Sequence, residues 1–234
     1  MGRVVLVTGG NRGIGAAIAE AFVANGDRVA VASRSGAAPA GCMGFVCDVA
    51  DSQSVDACFD AVEQALGPVE IAVANAGITR DGLIMRMSDD DIDAVLNTNL
   101  FGSLRIARRA TKAMLRLRRG RVIFIGSVVG LLGSAGQTNY AAAKAGLVGV
   151  ARSLAREVGA RGITVNVIAP GFVDTDMTAD LPDDRRAAIV ANVPLGRYAL
   201  PREVADVAVF LASEGAAYIT GAVIPVDGGL GMGH

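Results

Sequence analysis

Short runs of β-branched and small apolar residues alternate along this chain with longer segments whose apolar residues recur at three- and four-residue spacing. The short runs occupy residues 4–8, 28–33, 44–48, 70–75, 121–127, 163–170 and 222–226. The helical patterns between them cover 14–25, 52–66, 89–118, 140–158 and 201–212. This alternation predicts a Rossmann-type α/β fold, in which a doubly wound parallel sheet of seven strands carries helices on both faces.

The composition fits a sheet that is covered on both faces. Apolar residues make up 52% of the 234 residues and charged residues only 19%, as expected where strands are buried on both sides. No linker or repeat interrupts the pattern, so a single domain over 1–234 is predicted. Residues 35–43 lack helical periodicity, which predicts a missing helix there. A segment around 176–200 interrupts the alternation and is predicted to be a mobile substrate lid.

Several classes of protein are excluded by simple features. The net charge of −1 argues against attraction of the whole surface to nucleic acid. Residues 122–143 are uncharged, but their polar side chains and glycines are unsuited to lipid, so no membrane segment is predicted. The three cysteines lack the paired spacing of a metal site or a disulfide framework. The sole histidine, His234, is the last residue, which excludes a serine–histidine hydrolase. The opening residues lack a secretory h-region, which favours a cytoplasmic protein.

The first predicted strand leads into a glycine-rich turn, TGGNRGIG, at the start of the first helix. Gly9, Gly13 and Gly15 have no side chains there, which would let backbone N–H groups approach a pyrophosphate at the helix N-terminus. A tight turn without a ligand is the alternative. No G-K-[ST] follows, so a nucleoside triphosphate loop is not indicated.

The second predicted strand ends in residues that favour NADPH over NADH. An acid usually stands at this position in NAD sites, whereas this chain has Arg34, and Arg12 lies in the glycine turn. Arginine binds phosphate well, so the pair suits a 2′-phosphate, although two solvated arginines are the alternative. Asp48 is a candidate partner of the adenine amino group or else a helix cap. The small residues Ala76 and Gly77 would let the chain pass close to the cofactor.

The fifth predicted strand and the helix after it carry the candidate reacting groups. Ser127 ends the strand, and Tyr140 and Lys144 are four residues apart on the helix. Residues at this spacing share one helix face, so the ammonium group would lower the pKa of the phenol towards working pH. A tyrosine and lysine pair alone is more often structural, and the argument for chemistry rests on the combination with the glycine turn.

This combination resembles the short-chain dehydrogenase/reductase family over residues 4–230. Its pattern is T-G-x-x-x-G-x-G, N-A-G, Asn, Ser and Y-x-x-x-K, and the closest likeness is to the 3-oxoacyl-[acyl-carrier-protein] reductases. The resemblance implies that Tyr140 is the general acid, that Ser127 binds the carbonyl, and that Lys144 holds the nicotinamide ribose. Asn99 would position a water molecule in a proton relay. The implied cofactor-binding residues are Gly9, Asn11, Arg12, Gly13, Ile14, Gly15, Arg34, Asp48, Val49, Asn75, Ala76, Gly77, Tyr140, Lys144, Pro170, Gly171, Val173 and Thr175.

The resemblance also implies partners and competing functions. Members of this group are homotetramers, and alanine-rich faces of helices 100–118 and 140–158 could pack as a bundle. Residues 94–156 contain eleven Lys and Arg but no Asp or Glu, so Arg118 and Arg161 are expected to rim the active-site mouth and dock an acidic acyl carrier protein. A solvated basic stripe is the alternative. Reductases of polyketides or of acetoacetyl-CoA, and a non-catalytic NADPH-binding sensor, are the competing functions.

Overall fold

The computed structural model describes residues 2–175 and 183–232, and its centre is one parallel sheet of seven strands. The strands are β1 Val4–Thr8, β2 Arg28–Ser33, β3 Met43–Val46, β4 Ile71–Ala74, β5 Gly120–Ile125, β6 Ile163–Pro170 and β7 Val223–Val226. Their order in the sheet is β3-β2-β1-β4-β5-β6-β7. The order reverses between β1 and β4, and the crevice beyond the carboxyl ends of the strands at such a reversal is where open α/β sheets bind ligands. The predicted fold class is confirmed.

Helices cover both faces of the sheet because the strands are apolar at successive positions. The helices are α1 Gly13–Ala24, α2 Ser52–Leu66, α3 Asp89–Val95, α4 Gly102–Leu117, α5 Val129–Leu132, α6 Thr138–Val158, α7 Asp183–Ala191 and α8 Pro201–Leu211. In β1, Val4 and Leu6 belong to the core shared with α2, α4 and α6, whereas Val5 and Val7 belong to the core shared with α1 and α8. Since strand side chains point alternately to opposite faces, this apolar run supplies both cores.

The helical pattern predicted over 89–118 is helical from Asp89 to Leu117, but a π-helical turn lies in its middle. The chain forms α3, then a π-helical turn at Leu96–Phe101, and then α4. Asn99 lies in the π turn and is completely buried. Its side-chain amide accepts a hydrogen bond from the Ile78 N–H at 2.8 Å and donates one to the Ile78 carbonyl at 2.9 Å. The π turn, a feature common at functional sites, therefore anchors the loop that follows β4.

The predicted absence of a helix between β2 and β3 is confirmed. The described residues of this connection form turns and irregular structure only. Ala38 and Cys42 of the connection pack, partly buried, against the core shared with α1 and α8. Two small side chains thus cover the part of the sheet face that a crossover helix would otherwise cover.

The segment predicted to be a lid contains α7 and then returns to the edge of the sheet. Its first residues, 176–182, lie outside the described residues. After α7, Ala199 forms a parallel bridge with Val173, which joins the end of the segment to the chain that leaves β6. Among the described helices, none combines the length and the apolar character needed to span a bilayer.

Candidate active site

The glycine turn after β1 has a backbone that other residues would strain. Gly9 and Gly13 adopt φ values of +63° and +54°, in the left-handed region that glycine favours. A Cβ on Gly15 would collide with the Gly9 carbonyl oxygen and with the side-chain amide of Asn75. Helix α1 begins here without a side-chain cap and without an acidic residue in its first turn. The positive end of the helix is therefore available to an anion, and the turn fits a dinucleotide diphosphate.

A threonine clamps the glycine turn to the end of β4. The Thr8 hydroxyl accepts hydrogen bonds from the N–H groups of Asn75 at 3.0 Å and Ala76 at 3.1 Å. The Asn75 amide donates in return to the carbonyls of Thr8 at 2.9 Å and Gly9 at 3.1 Å. These bonds fix the two sides of the crevice at the point where the strand order reverses. Sequence reasoning did not include Thr8, although a polar residue that ends a buried strand is a signal for such a role.

The adenine side of the crevice carries exposed polar groups. Arg12 lies at the end of the glycine turn and Arg34 directly after β2, and both side chains are exposed. The Asp48 carboxylate accepts the Ala50 N–H at 2.9 Å, so it already has a structural partner. Val49 is buried, and its carbonyl accepts a hydrogen bond from an arginine of α4. Val49 thus contributes its side chain to the core and its carbonyl to the contact with α4.

The structure brings Ser127, Tyr140 and Lys144 together at the carboxyl edge of the sheet. Ser127 lies two residues beyond the end of β5, and the other two side chains lie near the start of α6. The Ser127 side chain lies close enough to the Tyr140 phenol to lower its pKa. The Lys144 Nζ lies 5.5 Å from the centroid of the Tyr140 ring. Two hydroxyl groups and one ammonium group thus share one site, as the spacing predicts.

Lys144 is a buried cation. Within the described part of the chain, its ammonium group has one hydrogen-bond partner, a backbone carbonyl. Its side chain is 5% exposed, and Nζ donates to the Ile125 carbonyl at 2.7 Å. Burial lowers the pKa of Lys144 to about 8. A Cβ on Gly77 would lie 3.2 Å from the Asn99 Oδ1 and 3.7 Å from the Lys144 Nζ. Gly77 of the N-A-G turn therefore lies against both the asparagine of the π turn and the lysine.

The expected fall in the pKa of Tyr140 is not found. Burial raises the pKa of the phenol, the nearby Ser127 side chain opposes this, and the charge of Asp81 raises it further. The physical reason is that desolvation disfavours the phenolate more strongly than its neighbours favour it. Asp81 is held near the site by a hydrogen bond from Gln137 at 3.0 Å. No local pattern marks Asp81, because the packing of two distant loops brings it there.

The chain leaving β6 closes the site above the glycine turn. The Pro170 carbonyl accepts the Val128 N–H at 2.9 Å, and the Gly171 N–H donates to the Val226 carbonyl at 3.0 Å. The Thr175 Cγ2 lies 3.6 Å from the position that a Cβ would take on Gly13. This segment therefore joins the reacting groups near β5 to the turn that fits a diphosphate.

The two arginines expected to rim the site lie elsewhere in the protomer. Arg118 follows α4 and precedes β5, whereas Arg161 ends a short 3-10 turn before β6. They are neighbours, because a Cβ on Gly162 would lie 2.8 Å from the Arg118 carbonyl oxygen. Residues that precede parallel strands lie at the amino edge of a sheet, and Ser127 lies at the carboxyl edge. The prediction that both arginines surround the active-site mouth of their own protomer is wrong.

The cysteines show no sign of a metal site or a disulfide. Cys47 and Cys58 are buried, Cys42 is half-buried, and all three are free thiols. Across the described ranges, no group of three or more His, Cys, Asp or Glu side chains is placed to hold a metal ion.

Comparison with known proteins shows the family to which the chain belongs. A family model described as enoyl-(acyl carrier protein) reductase matches residues 9–231. The 3-oxoacyl-[acyl-carrier-protein] reductase MabA of Mycobacterium tuberculosis (strain ATCC 25618 / H37Rv) is 53% identical over 232 residues, which cover 99% of this chain and 94% of that protein. The chain belongs to the short-chain dehydrogenase/reductase family. Another relative in this family, the 3-oxoacyl-[acyl-carrier-protein] reductase FabG of Escherichia coli (strain K12), is 49% identical over 239 residues, 99% of this chain and 98% of its own.

The short-chain dehydrogenase/reductase pattern is distributed over the carboxyl edge of the sheet. Its glycine turn follows β1, its N-A-G follows β4, its serine follows β5, and its asparagine lies in the π turn. These segments are far apart in the sequence, and the parallel arrangement of the strands brings them to one edge.

Proposed function

We propose that this protein reduces 3-oxoacyl-[acyl-carrier-protein] to 3-hydroxyacyl-[acyl-carrier-protein] with NADPH, in fatty acid biosynthesis. The observation that carries the proposal is the grouping of Ser127 and Tyr140 beside buried Lys144, on a sheet edge that also holds a turn fitted to a dinucleotide. Relatives about half identical over nearly the whole chain carry the name of this activity. The chain is proposed to act as a single reductase domain, and a cytoplasmic location stays a prediction from the sequence.

Different side chains bind the ketone and transfer a proton to it during the reduction. NADPH supplies the hydride when it is bound. The Ser127 hydroxyl donates a hydrogen bond to the ketone oxygen, and Tyr140 donates its proton to the same oxygen as the hydride adds to the carbon. The products are the alcohol and a tyrosinate. The raised pKa of Tyr140 keeps the phenol protonated at neutral pH, which is the form that a proton donor needs.

Lys144 and Asn99 support this transfer from the buried side. The ammonium of Lys144 lies close enough to stabilise the tyrosinate, and it would also bind the nicotinamide ribose. Asn99 would hold a water molecule that returns a proton from solvent to Tyr140, beside the Gly77 turn. NADPH rather than NADH is supported by Arg12 and Arg34, whose exposed guanidinium groups suit a 2′-phosphate.

The test is NADPH oxidation with a panel of thioesters and ketones. We expect turnover of acetoacetyl-[acyl-carrier-protein] with a higher kcat/KM than acetoacetyl-CoA or a cyclic ketone. Faster reduction of a 2-enoyl thioester would instead favour the activity named in the family model. Preference for the CoA ester or for a polyketide would support the competing reductases. NADPH binding without oxidation by any ketone would support a sensor.

A homotetramer is proposed from two exposed apolar surfaces. A tetramer with two-fold symmetry needs two different self-complementary surfaces. The end of the π turn exposes Phe101 and the outward face of α4 exposes Leu104 and Leu115, all larger than the alanines expected there. The second surface lies beside α8 and the sheet edge at β7, where Phe210 and Tyr218 are exposed. Sedimentation of a monomer at micromolar protein concentration would contradict the assembly.

Within such a tetramer, the basic surface at Arg118 and Arg161 can serve a neighbouring active site. When α4 packs on its symmetry mate across a two-fold axis perpendicular to the helices, the two helices run antiparallel. The end of one α4 then lies beside the start of the other, near the partner's carboxyl edge. We therefore propose that the two arginines dock an acidic acyl carrier protein for the partner's site. Reversing both to Glu should raise KM for the carrier-bound substrate and leave turnover of a small ketone unchanged, whereas equal effects on both substrates would contradict docking.

A further inference from the structure

Helix α7 is held to the rest of the protein by an arginine that contacts two separate segments. The Arg186 guanidinium forms an ion pair with the Asp174 carboxylate at 2.6 Å. The same guanidinium lies 4.6 Å from the centroid of the Tyr198 ring, a cation–π contact. Only about a third of the Arg186 side chain is exposed, at 32%. Arg186 therefore connects α7 both to the chain that leaves β6 and to the chain that leads into α8.

The two segments that Arg186 contacts, residues 172–174 and 198–199, are bonded to each other, and together we call them the platform. The Asp174 N–H donates to the Ala199 carbonyl at 2.9 Å, and the Ala199 N–H donates to the Phe172 carbonyl at 2.9 Å. The rings of Phe172 and Tyr198 pack at 5.8 Å between centroids, and Tyr198 is buried. Because these bonds join the two segments to each other, the contacts of Arg186 link α7 to both of them.

The chain beyond the carboxyl end of α7 is fixed independently of Arg186. Val193 is buried, and its Cγ1 lies 2.7 Å from the position that a Cβ would take on Gly228. The Leu195 N–H donates to the Gly228 carbonyl at 3.1 Å. The carboxyl end of α7 therefore stays attached when the Arg186 contacts are removed, so their loss acts on the contact between α7 and the platform.

The platform continues directly into the cofactor side of the site. Asp174 precedes Thr175, whose methyl group lies against the Gly13 position in the turn that fits a diphosphate. A change in the position of Asp174 would therefore move Thr175, its neighbour in the chain, relative to the glycine turn. We propose that Arg186 is a positioning residue that keeps Thr175 over the glycine turn, so that its ion pair with Asp174 slows the release of the dinucleotide. This role rests on the proposed function, because it assumes that the turn binds a nicotinamide dinucleotide.

The test compares the dissociation rates of NADPH from three proteins, measured by stopped-flow nicotinamide fluorescence. Arg186→Met keeps most of the side-chain stem but removes the charge. Loss of an exposed ion pair together with a cation–π contact should make the release of NADPH roughly three- to thirtyfold faster. The matched control is Arg202→Met, because Arg202 is 86% exposed and its nearest acid, at 3.8 Å, lies on its own helix. The control should release NADPH at the rate of the unmodified protein.

A double-mutant cycle separates positioning from general loss of structure. Asp174→Asn should speed release as Arg186→Met does, and combining the two should add little, since both remove the same ion pair. KM for NADPH should rise while kcat stays equal or increases. Equal dissociation rates in the unmodified, Arg186→Met and Arg202→Met proteins would overturn the role of Arg186, as would full additivity in the cycle. Failure of the unmodified protein to bind either dinucleotide would instead contradict the proposed function.

Discussion

Replacing Lys144 by methionine should stabilise the fold at neutral pH while it abolishes ketone reduction. Burial lowers the pKa of Lys144 from 10.5 to about 8. At about 1.4 kcal/mol per pH unit, holding the ammonium in the interior costs about 3 kcal/mol at pH 7. Methionine has a similar length and no charge, so the substitution removes this cost. It also leaves the Ile125 carbonyl without its Nζ partner, which costs about 1–3 kcal/mol.

The sign of the pH dependence gives a sharper test than the net stability. Below about pH 8 the lysine is protonated in both folded and unfolded chains, and the full cost is present. Between pH 8 and 10.5 the folded chain releases its proton while the unfolded chain keeps it, so the unmodified protein becomes more stable as the pH rises. The methionine variant lacks this gain. The unmodified protein should therefore gain about 2 to 3 kcal/mol relative to the variant between pH 7 and pH 10.

The measurement is urea unfolding of both proteins without dinucleotide, at one protein concentration, across this pH range. Lys112→Met is the matched control, because Lys112 is the only other lysine and its side chain is exposed on α4. That variant should follow the unmodified protein at every pH. A constant difference between Lys144→Met and the unmodified protein from pH 7 to pH 10 would refute the reasoning, since it would show that burial does not disfavour the ammonium.

Four further substitutions test the site and the packing that supports it. Tyr140→Phe should keep NADPH binding and lose roughly 10²- to 10⁴-fold in kcat, because it deletes the proton that the phenol donates; a rate near that of the unmodified protein would remove Tyr140 from the chemistry. Arg34→Asp should shift the ratio of kcat/KM values towards NADH by about 1–3 kcal/mol, as a phosphate partner becomes repulsive; unchanged preference would point to Arg12 alone or to neither. Gly15→Ala should weaken dinucleotide binding and destabilise the protein by about 1–3 kcal/mol, because its Cβ has no space; calorimetry should show no such loss for Gly159→Ala, where a Cβ meets nothing within 4 Å. Arg109→Met should lower the urea midpoint and cost about 1–2 kcal/mol, because it breaks a two-point bond to Glu63 on α2 and a cation–π contact with Phe59; an unchanged midpoint would show that these contacts do not stabilise the packing of α2 on α4.

The sequence by itself determined the succession of strands and helices along the chain and the grouping of the reacting residues. Runs such as Val4–Thr8 are apolar at successive positions, which is typical of strands covered on both faces. Once the sheet is parallel and doubly wound, every residue that directly follows a strand lies at the same edge. Ser127 and the glycine turn follow strands, and Tyr140 lies in the first turn of α6, so their proximity follows from local patterns and topology.

Only the tertiary structure decided the features that depend on competing environments. The π turn at Asn99 forms because its amide satisfies the backbone of a loop twenty-one residues away, which no helical periodicity reveals. The pKa of Tyr140 rises because burial outweighs its neighbours, and Lys144 shifts because its charge is removed from water. The contacts of Arg186 join three segments that are separate in sequence. Hydrophobic patterning is a local property of the chain, whereas desolvation and long-range pairing exist only after distant segments have packed together.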